Sequence, residues 1–258
     1  MPKTDTKGGY EYVVWQMIQQ FELVEETNAL GNDQLLGIEA LHKLLEELAP
    51  ALLGNSGKLT EFQALQDQYE YNIVNLLLST YKQLKSNDAT DTENVSNQEN
   101  ILLMNKLLQG LLLIHPNSRK IFSKKDNMML MISFIQNSGN ETPTVVISFI
   151  STLVHILLKN LDNFRAFEKC GGCAAIIKHF NLQALQTTAN TNPKQQELNF
   201  KIIEFLLFYF VDENEVSFDH STTPFAKKLS IDDKASFFRE KFPGIDGLII
   251  NLNDLKSL

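Results

Sequence analysis

Apolar residues recur at helical spacing along most of the chain. Residues 12–26 and 35–48 place large apolar side chains three or four positions apart, and the second pattern stops near Pro50. This period puts apolar side chains on one face of an α-helix, whereas a half-buried strand would alternate every second residue. Alternation of that kind is hard to find anywhere in the sequence. The pattern therefore predicts an all-α chain, in which residues 59–84 form one long helix or two.

Proline and capping residues predict where several helices begin and end. Residues 101–114 are apolar almost all round, which is typical of a buried helix, and the His-Pro pair that follows should end it. Pro143 and Pro193 suit the first position of a helix. Ser230 with an acidic residue three positions later resembles a capping box, and Asp246 is expected to cap a last helix.

Three polar stretches interrupt the helical pattern. Residues 86–100 contain one large apolar residue, Val95, and so cannot bury enough surface to become ordered. We therefore expect flexible loops near residues 86–100, 186–192 and 212–224. Between them, the predicted helices are expected to form a single domain over residues 1–258.

Two segments of the chain resemble each other at an offset of 45 residues. Residues 105–135 and 150–180 align without gaps, and each reads as an apolar helix, a short segment with an aromatic residue and a second apolar helix. Phe122 and Phe167 occupy equivalent positions in the two short segments. A period of 45 falls in the range of about 40–47 residues that armadillo and HEAT repeats show.

Such a repeat has an apolar face that only a neighbouring repeat can cover. The sequence therefore predicts an armadillo/HEAT-like fold, in which the helices form a right-handed stack, an α-solenoid. Solenoids present extended curved surfaces, which favours a protein that binds other proteins.

Charge and hydropathy exclude several classes of partner. The chain of 258 residues has 23 Lys plus Arg and 31 Asp plus Glu, so its formal net charge is −8. That balance argues against nucleic acid and against an anionic membrane surface as partners, since a protein needs a basic surface to bind either one. The longest apolar runs are too short for membrane insertion, and the first residues contain no apolar core of a signal peptide. We expect an intracellular protein.

The most conspicuous chemical motif is Cys170-Gly171-Gly172-Cys173. A redox or metal enzyme at this pair is one hypothesis, but the predicted fold lacks the βαβ context of a redox motif, and no second ligand pair has the spacing of a zinc site. The alternative is that the glycines form the repeat turn and the cysteines are small core residues. Nucleotide-binding and hydrolase motifs are absent from the sequence. We predict no enzymatic activity, no cofactor and no small-molecule substrate.

Four segments resemble one known family. They are HPNSRKIF at 115–122, NFRAFEKCGG at 163–172, KIIEFLLFYF at 201–210 and the tail at 234–255. These segments resemble the cell division control protein 14 family, the fungal septation initiation network component that is distinct from the phosphatase of the same name. The resemblance covers roughly residues 10–255.

The resemblance implies a non-catalytic scaffold that binds a germinal-centre-class protein kinase in the septation initiation or mitotic exit cascade and promotes cytokinesis and septum formation. It also implies a location in the cytoplasm and at the spindle pole body. An armadillo-type adaptor for a linear peptide of another partner remains the alternative, and the net charge favours a basic peptide.

Polar residues that interrupt apolar helices are the candidates for partner binding. If a concave face exists, the last helix of each repeat should line it, and Tyr209 could serve as a rigid aromatic anchor. The candidate residues are His155, Lys159, Lys178, Lys201, Glu204 and Tyr209.

Overall fold

The structure is a computed structural model of the whole chain. It describes residues 9–22, 32–53, 57–86, 91–136, 142–182, 192–218 and 227–256. The described residues form α-helices, short 3-10 helices and connecting turns, with no β-strand among them. The prediction of an all-α chain is therefore confirmed for this part of the chain. None of the helices in the described ranges combines the length and the hydropathy that a membrane crossing requires.

The chain divides into two compact units, residues 1–121 and 122–258. In the first unit, short 3-10 helices at Ala49–Leu53 and Tyr69–Tyr71 connect longer α-helices. The α-helices of this unit are α1 (Gly9–Glu22), α2 (Asn32–Leu48), α3 (Gly57–Gln66), α4 (Ile73–Ser86) and α5 (Asp91–Ile114).

The 3-10 helix Pro116–Ser123 follows α5 and extends to the first residues of the second unit. The α-helices of the second unit are α6 (Lys125–Gln136), α7 (Pro143–Leu157), α8 (Leu161–Lys169), α9 (Gly172–Ile177), α10 (Pro193–Tyr209), α11 (Ile231–Arg239) and α12 (Ile245–Lys256).

In the first unit, α1 packs on α2, α3 and α4, while α5 packs on α2 and α4. Residues 59–84 form two helices rather than one, because the chain turns at residues 67–72 between α3 and α4. The loop expected at residues 86–100 is a prediction that the structure corrects, since α5 begins at Asp91. The polar sequence there continues the apolar helix by three turns, and backbone hydrogen bonding can propagate from an existing helix at little cost.

In the second unit, α7 packs along α10 and also contacts α6 and α8, and α11 packs against α9 and α12. Residues 212–218 lie outside the helices, as expected, whereas residues 186–191 and 219–224 of the predicted loops are outside the described residues. The core of this unit is strongly aromatic. Its fully buried rings include Phe149, Phe167, Phe205, Tyr209 and Phe238.

The predicted helix starts are largely confirmed. Pro143 and Pro193 open α7 and α10, and the side chain of Asn192 accepts a hydrogen bond from Lys194 N. Ser230 and Asp233 form a reciprocal capping box at the start of α11. The prediction for the last helix is wrong in one detail: α12 begins before Asp246, whose carboxylate instead accepts a hydrogen bond from Arg239.

Both copies of the predicted repeat have the expected three-part pattern. The first consists of the end of α5, the 3-10 helix and α6, and the second of the end of α7, α8 and α9. Phe122 and Phe167, the equivalent aromatic residues, are both fully buried. The copies differ at the second break, where Gly171 has a left-handed φ of 76° while Asp126 lies within the first turn of α6.

Candidate partner-binding site

The outward side of α10 presents apolar and acidic side chains in adjacent rows. Phe200 is 63% exposed, although it lies in the middle of an ordered helix. Ile203 and Leu207 are half-buried beside it, and Glu197 and Glu204 are exposed on its other side. We call this surface the α10 face. It consists of Glu197, Phe200, Lys201, Ile203, Glu204 and Leu207.

The opposite side of α10 is held firmly in the second unit. Asn199 is fully buried; its Nδ2 donates to Asn181 O at 2.8 Å, and its Oδ1 accepts from Asn181 N at 3.0 Å. Gln195 Nε2 donates to the carbonyl oxygen of His179 at 3.1 Å. These bonds attach the chain after α9 to α10. A rigid helix loses little entropy when its exposed side chains become ordered in a complex.

Lys201 and Glu204, two of the predicted partner-binding residues, lie next to each other on the α10 face. Lys201 Nζ contacts Glu204 Oε2 at 2.7 Å, and the carboxylate is mostly exposed while the lysine is half-buried. The pair is one helical turn apart, so it forms without help from the rest of the fold. Both groups are accessible at the edge of the α10 face.

The structure does not bring the other predicted polar residues to the α10 face through any described contact. His155 Nδ1 donates to Ser151 O within α7, and Lys178 Nζ donates to the carbonyl oxygen of Gln136. Lys159 is exposed in the turn after α7, with a left-handed φ of 55°. Two of these side chains therefore bond to the backbone, and Lys159 forms part of a turn.

The structure corrects the prediction for Tyr209. It was expected to be a surface anchor, but its side chain is fully buried. Its hydroxyl donates to Glu168 Oε1 at 2.8 Å and accepts from Cys173 Sγ at 3.6 Å. The position follows the buried stripe of α10, since Ile202, Phe205 and Tyr209 are three or four residues apart. Tyr209 therefore organises the core and does not reach the surface.

A buried network of charges lies behind Tyr209. Lys234 on α11 and Glu213 in the 212–218 turn are each only 1% exposed, and Lys234 Nζ is 3.0 Å from Glu213 Oε1. Arg165 on α8 contacts the same oxygen at 2.6 Å. Lys234 also donates to the carbonyl oxygens of Tyr209 and Val211, at 2.9 and 3.0 Å. Three oxygen acceptors thus lie within hydrogen-bond distance of the lysine ammonium group, which has three N–H donors.

The aromatic core completes the environment of Lys234. Its ammonium group lies 5.2 Å from the ring centroid of Phe164 and 5.1 Å from that of Tyr209, which are cation–π distances. Burial lowers the pKa of Lys234, while its hydrogen bond and proximity to Glu213 act in the opposite direction. A buried charge of this kind is tolerated only because it is paired and hydrogen-bonded.

Glu168 extends the network toward α10. Burial raises the pKa of Glu168 to about 7, partly offset by Arg165, whose Nε lies 3.0 Å from the carboxylate, and by the Tyr209 hydroxyl. Perturbed carboxyl groups also occur in active sites. Here the side chain is buried among its partners, so we interpret the network as a tie between α8, α10, α11 and the 212–218 turn.

Sequence reasoning missed this network. The available signal was Lys234, which lies four residues before Phe238 and therefore on the apolar side of α11. A charged residue on an apolar helix face requires a buried partner, but the sequence does not identify Glu213 as that partner. Pairing depends on how the turn after α10 folds back over α8.

The structure favours the packing interpretation of the two cysteines. Cys173 is buried and Cys170 half-buried, and both are free thiols. Burial raises the pKa of the Cys173 thiol and also that of Cys170. The thiolate is the form that attacks disulfides and binds metals, so these environments disfavour both reactions.

A second polar cluster lies in the first unit, at the end of α5. His115 is buried; its Nδ1 is 2.8 Å from Ser118 Oγ and its Nε2 is 3.1 Å from Asp67 Oδ1. Ser118 Oγ also accepts from Asn72 Nδ2 at 3.0 Å, and its residue is only 3% exposed. The order Asp, His, Ser resembles a hydrolase triad. The buried serine, held by two partners, instead fixes the turn that follows α5.

Comparison with known proteins identifies the family. The sequence profile of the family described as "Cell division control protein 14, SIN component", where SIN is the septation initiation network, matches residues 39–226. A curated relative, Cell division control protein 14 from Schizosaccharomyces pombe, is 25% identical over 142 residues, which cover 55% of this chain and 52% of the relative.

The alignment thus spans about half the length of the curated relative. No solved structure matches the chain. The family profile covers parts of both units, including α7, α8 and the whole α10 face. The match extends over most of the chain and confirms the resemblance inferred from the sequence: the chain belongs to the Cell division control protein 14, SIN component family.

Proposed function

We propose that this chain is a non-catalytic scaffold that binds a protein kinase of the germinal-centre class. In this proposal it acts in the septation initiation and mitotic exit cascade and promotes cytokinesis and septum formation. Its location would be the cytoplasm and the spindle pole body. Neither a cofactor nor a small-molecule substrate is needed for this role.

Membership of the SIN component family over residues 39–226 is the observation that carries the proposal. It supports a role in septation initiation, and the components of a signalling cascade act mainly through protein partners. The α10 face adds support from the structure, because an exposed phenylalanine on a rigid helix is typical of an interaction surface. The buried state of the Cys173 thiol and of Ser118 also favours a binding role over catalysis.

We further propose that the helices form one armadillo-like, right-handed solenoid domain over residues 1–258. The three-part pattern shared by the two repeat copies supports this arrangement. A curved surface of this kind could hold the kinase domain in its active arrangement. It would raise kinase activity if it bound the active conformation more tightly than the inactive one.

The α10 face is the proposed contact surface, with Phe200 as the anchor and Lys201 and Glu204 at its edge. His155, Lys159 and Lys178 stay as weaker candidates for the same partner. Glu197 and Glu204 flank the phenylalanine, so the complementary surface should be an apolar pocket with basic side chains along one border.

The second candidate function is an adaptor for a basic linear peptide of another partner. The acidic border of the α10 face and the net charge of −8 favour it. The two functions differ in what is bound. A scaffold requires a folded kinase domain, whereas an adaptor binds the isolated peptide with full affinity.

The test is affinity purification of the tagged full-length chain from dividing cells, followed by identification of the proteins that co-purify. We expect a stoichiometric germinal-centre-class kinase, whose activity toward a generic substrate rises when the purified chain is added. Phe200→Ala should abolish co-purification of the kinase, whereas Ile250→Ala should leave co-purification unchanged. Ile250 is the matched control because it has the same exposed fraction, 63%, on α12.

The absence of any kinase among stoichiometric partners would contradict the scaffold proposal. If the partner binds through an isolated basic peptide with full affinity, the adaptor is correct. If the kinase binds the wild-type chain and Phe200→Ala equally well, the scaffold proposal stands and the α10 face is the wrong surface.

A further inference from the structure

The first unit has an apolar groove between α2 and α5. Leu45 and Leu52 line one side, Leu107 and Leu113 line the other, and the cavity has a volume of about 290 Å³. Leu52 and Leu113 are 46% and 47% exposed. A smaller cavity of about 230 Å³, which includes Leu103, shares His42 with the first. We call the two together the α2–α5 groove.

Gly110 forms part of the floor of the groove. It lies in the interior of α5, where glycine stabilises a helix less than alanine does. A β-carbon at this position would lie 3.4 Å from Leu45 Cδ1. Any larger side chain would therefore occupy the space between the two helices. The glycine keeps the groove open at the expense of helix stability.

The length of the groove matches a short helix. Its α5 side extends from Leu103 to Ile114, which corresponds to about 16 Å along a helix axis, or about three turns. An α-helix of that length presents apolar side chains at i, i+4 and i+7 along one face, and helices commonly bind in grooves through such anchors.

The two edges of the groove carry opposite charge. On the α2 edge, Glu39 and Glu46 outnumber Lys43, and on the α5 edge Lys106 is exposed. A bound helix should therefore have basic side chains on the flank toward α2 and acidic side chains on the flank toward α5. An anionic membrane surface would instead require a basic surround on both edges.

We propose that the α2–α5 groove binds an amphipathic α-helix of a protein partner. The helix inserts apolar side chains at i, i+4 and i+7 over Gly110, with its basic flank toward Glu46 and its acidic flank toward Lys106. This surface lies in the first unit and its assignment does not depend on the proposed kinase scaffold.

The test uses the full-length chain and a designed, fluorescently labelled peptide of about 14 residues. The peptide has leucines at the three anchor positions, lysines on one flank and glutamates on the other. A scrambled peptide of the same composition is the control ligand. Fluorescence anisotropy should give a Kd at least about tenfold lower for the amphipathic peptide than for the scrambled one.

Variants of the chain locate the binding. Leu113→Glu places a charge in the groove at an exposed position and should weaken binding at least about tenfold. Met129→Glu on α6 is the matched control, since Met129 is also 47% exposed, and should bind as the wild type does. Lys106→Glu should weaken binding of the same peptide, and a peptide that carries lysines on both flanks should restore it.

Three results would overturn the proposal. One is equal or undetectable binding of the amphipathic and scrambled peptides. Another is full affinity in Leu113→Glu. The third combines two observations: the wild-type chain does not bind the peptide, and sedimentation shows a concentration-dependent dimer that Leu113→Glu abolishes. A second copy of the chain would then occupy the groove. Circular dichroism confirms that each variant is folded, and because Leu113 is exposed we expect its substitution to be tolerated.

Discussion

The α-carbon of Gly172 faces the ring of Phe167 so closely that a β-carbon there would lie 2.1 Å from Phe167 Cε2. Phe167 is the aromatic residue of α8 in the second repeat copy, and Gly172 is the first residue of α9. The preceding residue, Gly171, has the left-handed φ of 76° that turns the chain between the two helices. The glycine pair therefore permits both the turn and the close packing of the ring.

Gly172→Ala should destabilise the protein by about 1–3 kcal/mol, because the new methyl group cannot fit without displacing a buried ring. Urea unfolding followed by circular dichroism measures the change. Gly247→Ala on α12 is the matched control, since a β-carbon there meets no atom within 4 Å. A Gly172→Ala variant as stable as the wild type would show that Phe167 packs elsewhere.

Phe167→Ala should lower the free energy of unfolding by about 3–5 kcal/mol, since it leaves a cavity in the aromatic core. Phe167 lies within 6.2 Å of the ring centroids of Phe205 and Tyr209, and all three are fully buried. Phe200→Ala, at an exposed position of α10, should change stability by about 0.5 kcal/mol or less. Similar losses in both variants would contradict the assignment of Phe167 to the core.

Lys234→Met should destabilise by about 3–5 kcal/mol, because it leaves the Glu213 carboxylate buried without one of its cations. Thermal or urea unfolding measures the loss. Lys241→Met removes an exposed pair with Glu240, where solvent screens the charges, and should leave the stability close to that of the wild type. A double-mutant cycle with Glu213→Gln should show a favourable coupling between the two residues, and purely additive losses would argue against their contact.

Glu168 should make stability depend on pH. Burial raises its folded-state pKa to about 7 from the ordinary value of 4.5, so between these values the folded protein holds a proton that the unfolded chain has lost. The free energy of unfolding therefore falls as pH rises from about 4.5 to 7. Below that window the contribution of this residue is fully present.

Urea unfolding of the wild type and of Glu168→Gln at a series of pH values isolates this effect. The stability of the wild type relative to the variant should decrease through the window. His115 acts in the opposite direction, because burial lowers its pKa and its contribution is lost as pH falls below 6.5. The comparison with Glu168→Gln removes that background, and parallel profiles would refute the assignment to Glu168.

Exchanging the charges on the α10 face should weaken partner binding without unfolding the protein. Lys201→Glu combined with Glu204→Arg retains an ion pair one turn apart but reverses its direction. The expected loss is at least about tenfold in affinity for the co-purifying partner, measured by titration calorimetry. The control exchanges the exposed pair Glu240 and Lys241 on the same unit. Unchanged affinity in a folded Lys201/Glu204 variant would show that this edge of the α10 face does not contact the partner.

Local signals in the sequence were sufficient for most helices. Helix periodicity, Pro143, Pro193 and the Ser230 capping box act within a few residues, so the elements they specify were predicted correctly. Residues 91–100 were not, because their composition is polar and their helix exists as an extension of α5. The composition of a segment indicates how much apolar surface that segment can bury by itself. It does not indicate whether an adjoining helix stabilises the segment in helical form.

The candidate site was predicted only in part. Lys201 and Glu204 are accessible because they are on the polar side of α10, which follows from the helical period. Tyr209 was misassigned because an aromatic residue with a hydroxyl group suits both a surface and a core, and the presence of Glu168 as a buried partner decides between them. Phe200 was overlooked since an exposed phenylalanine looks like a core residue in the sequence alone.

The sequence by itself determined the all-α class, the start of α7, α10 and α11, the repeat with Phe122 and Phe167 at equivalent positions, and the family resemblance. These properties depend on neighbours within a few turns or on the order of residues. Tertiary structure alone decided the pairing of Lys234 with Glu213, the hydrogen bond from Tyr209 to Glu168 and the groove over Gly110. Each of these depends on residues far apart in the chain, whose contact is set by how the helices pack.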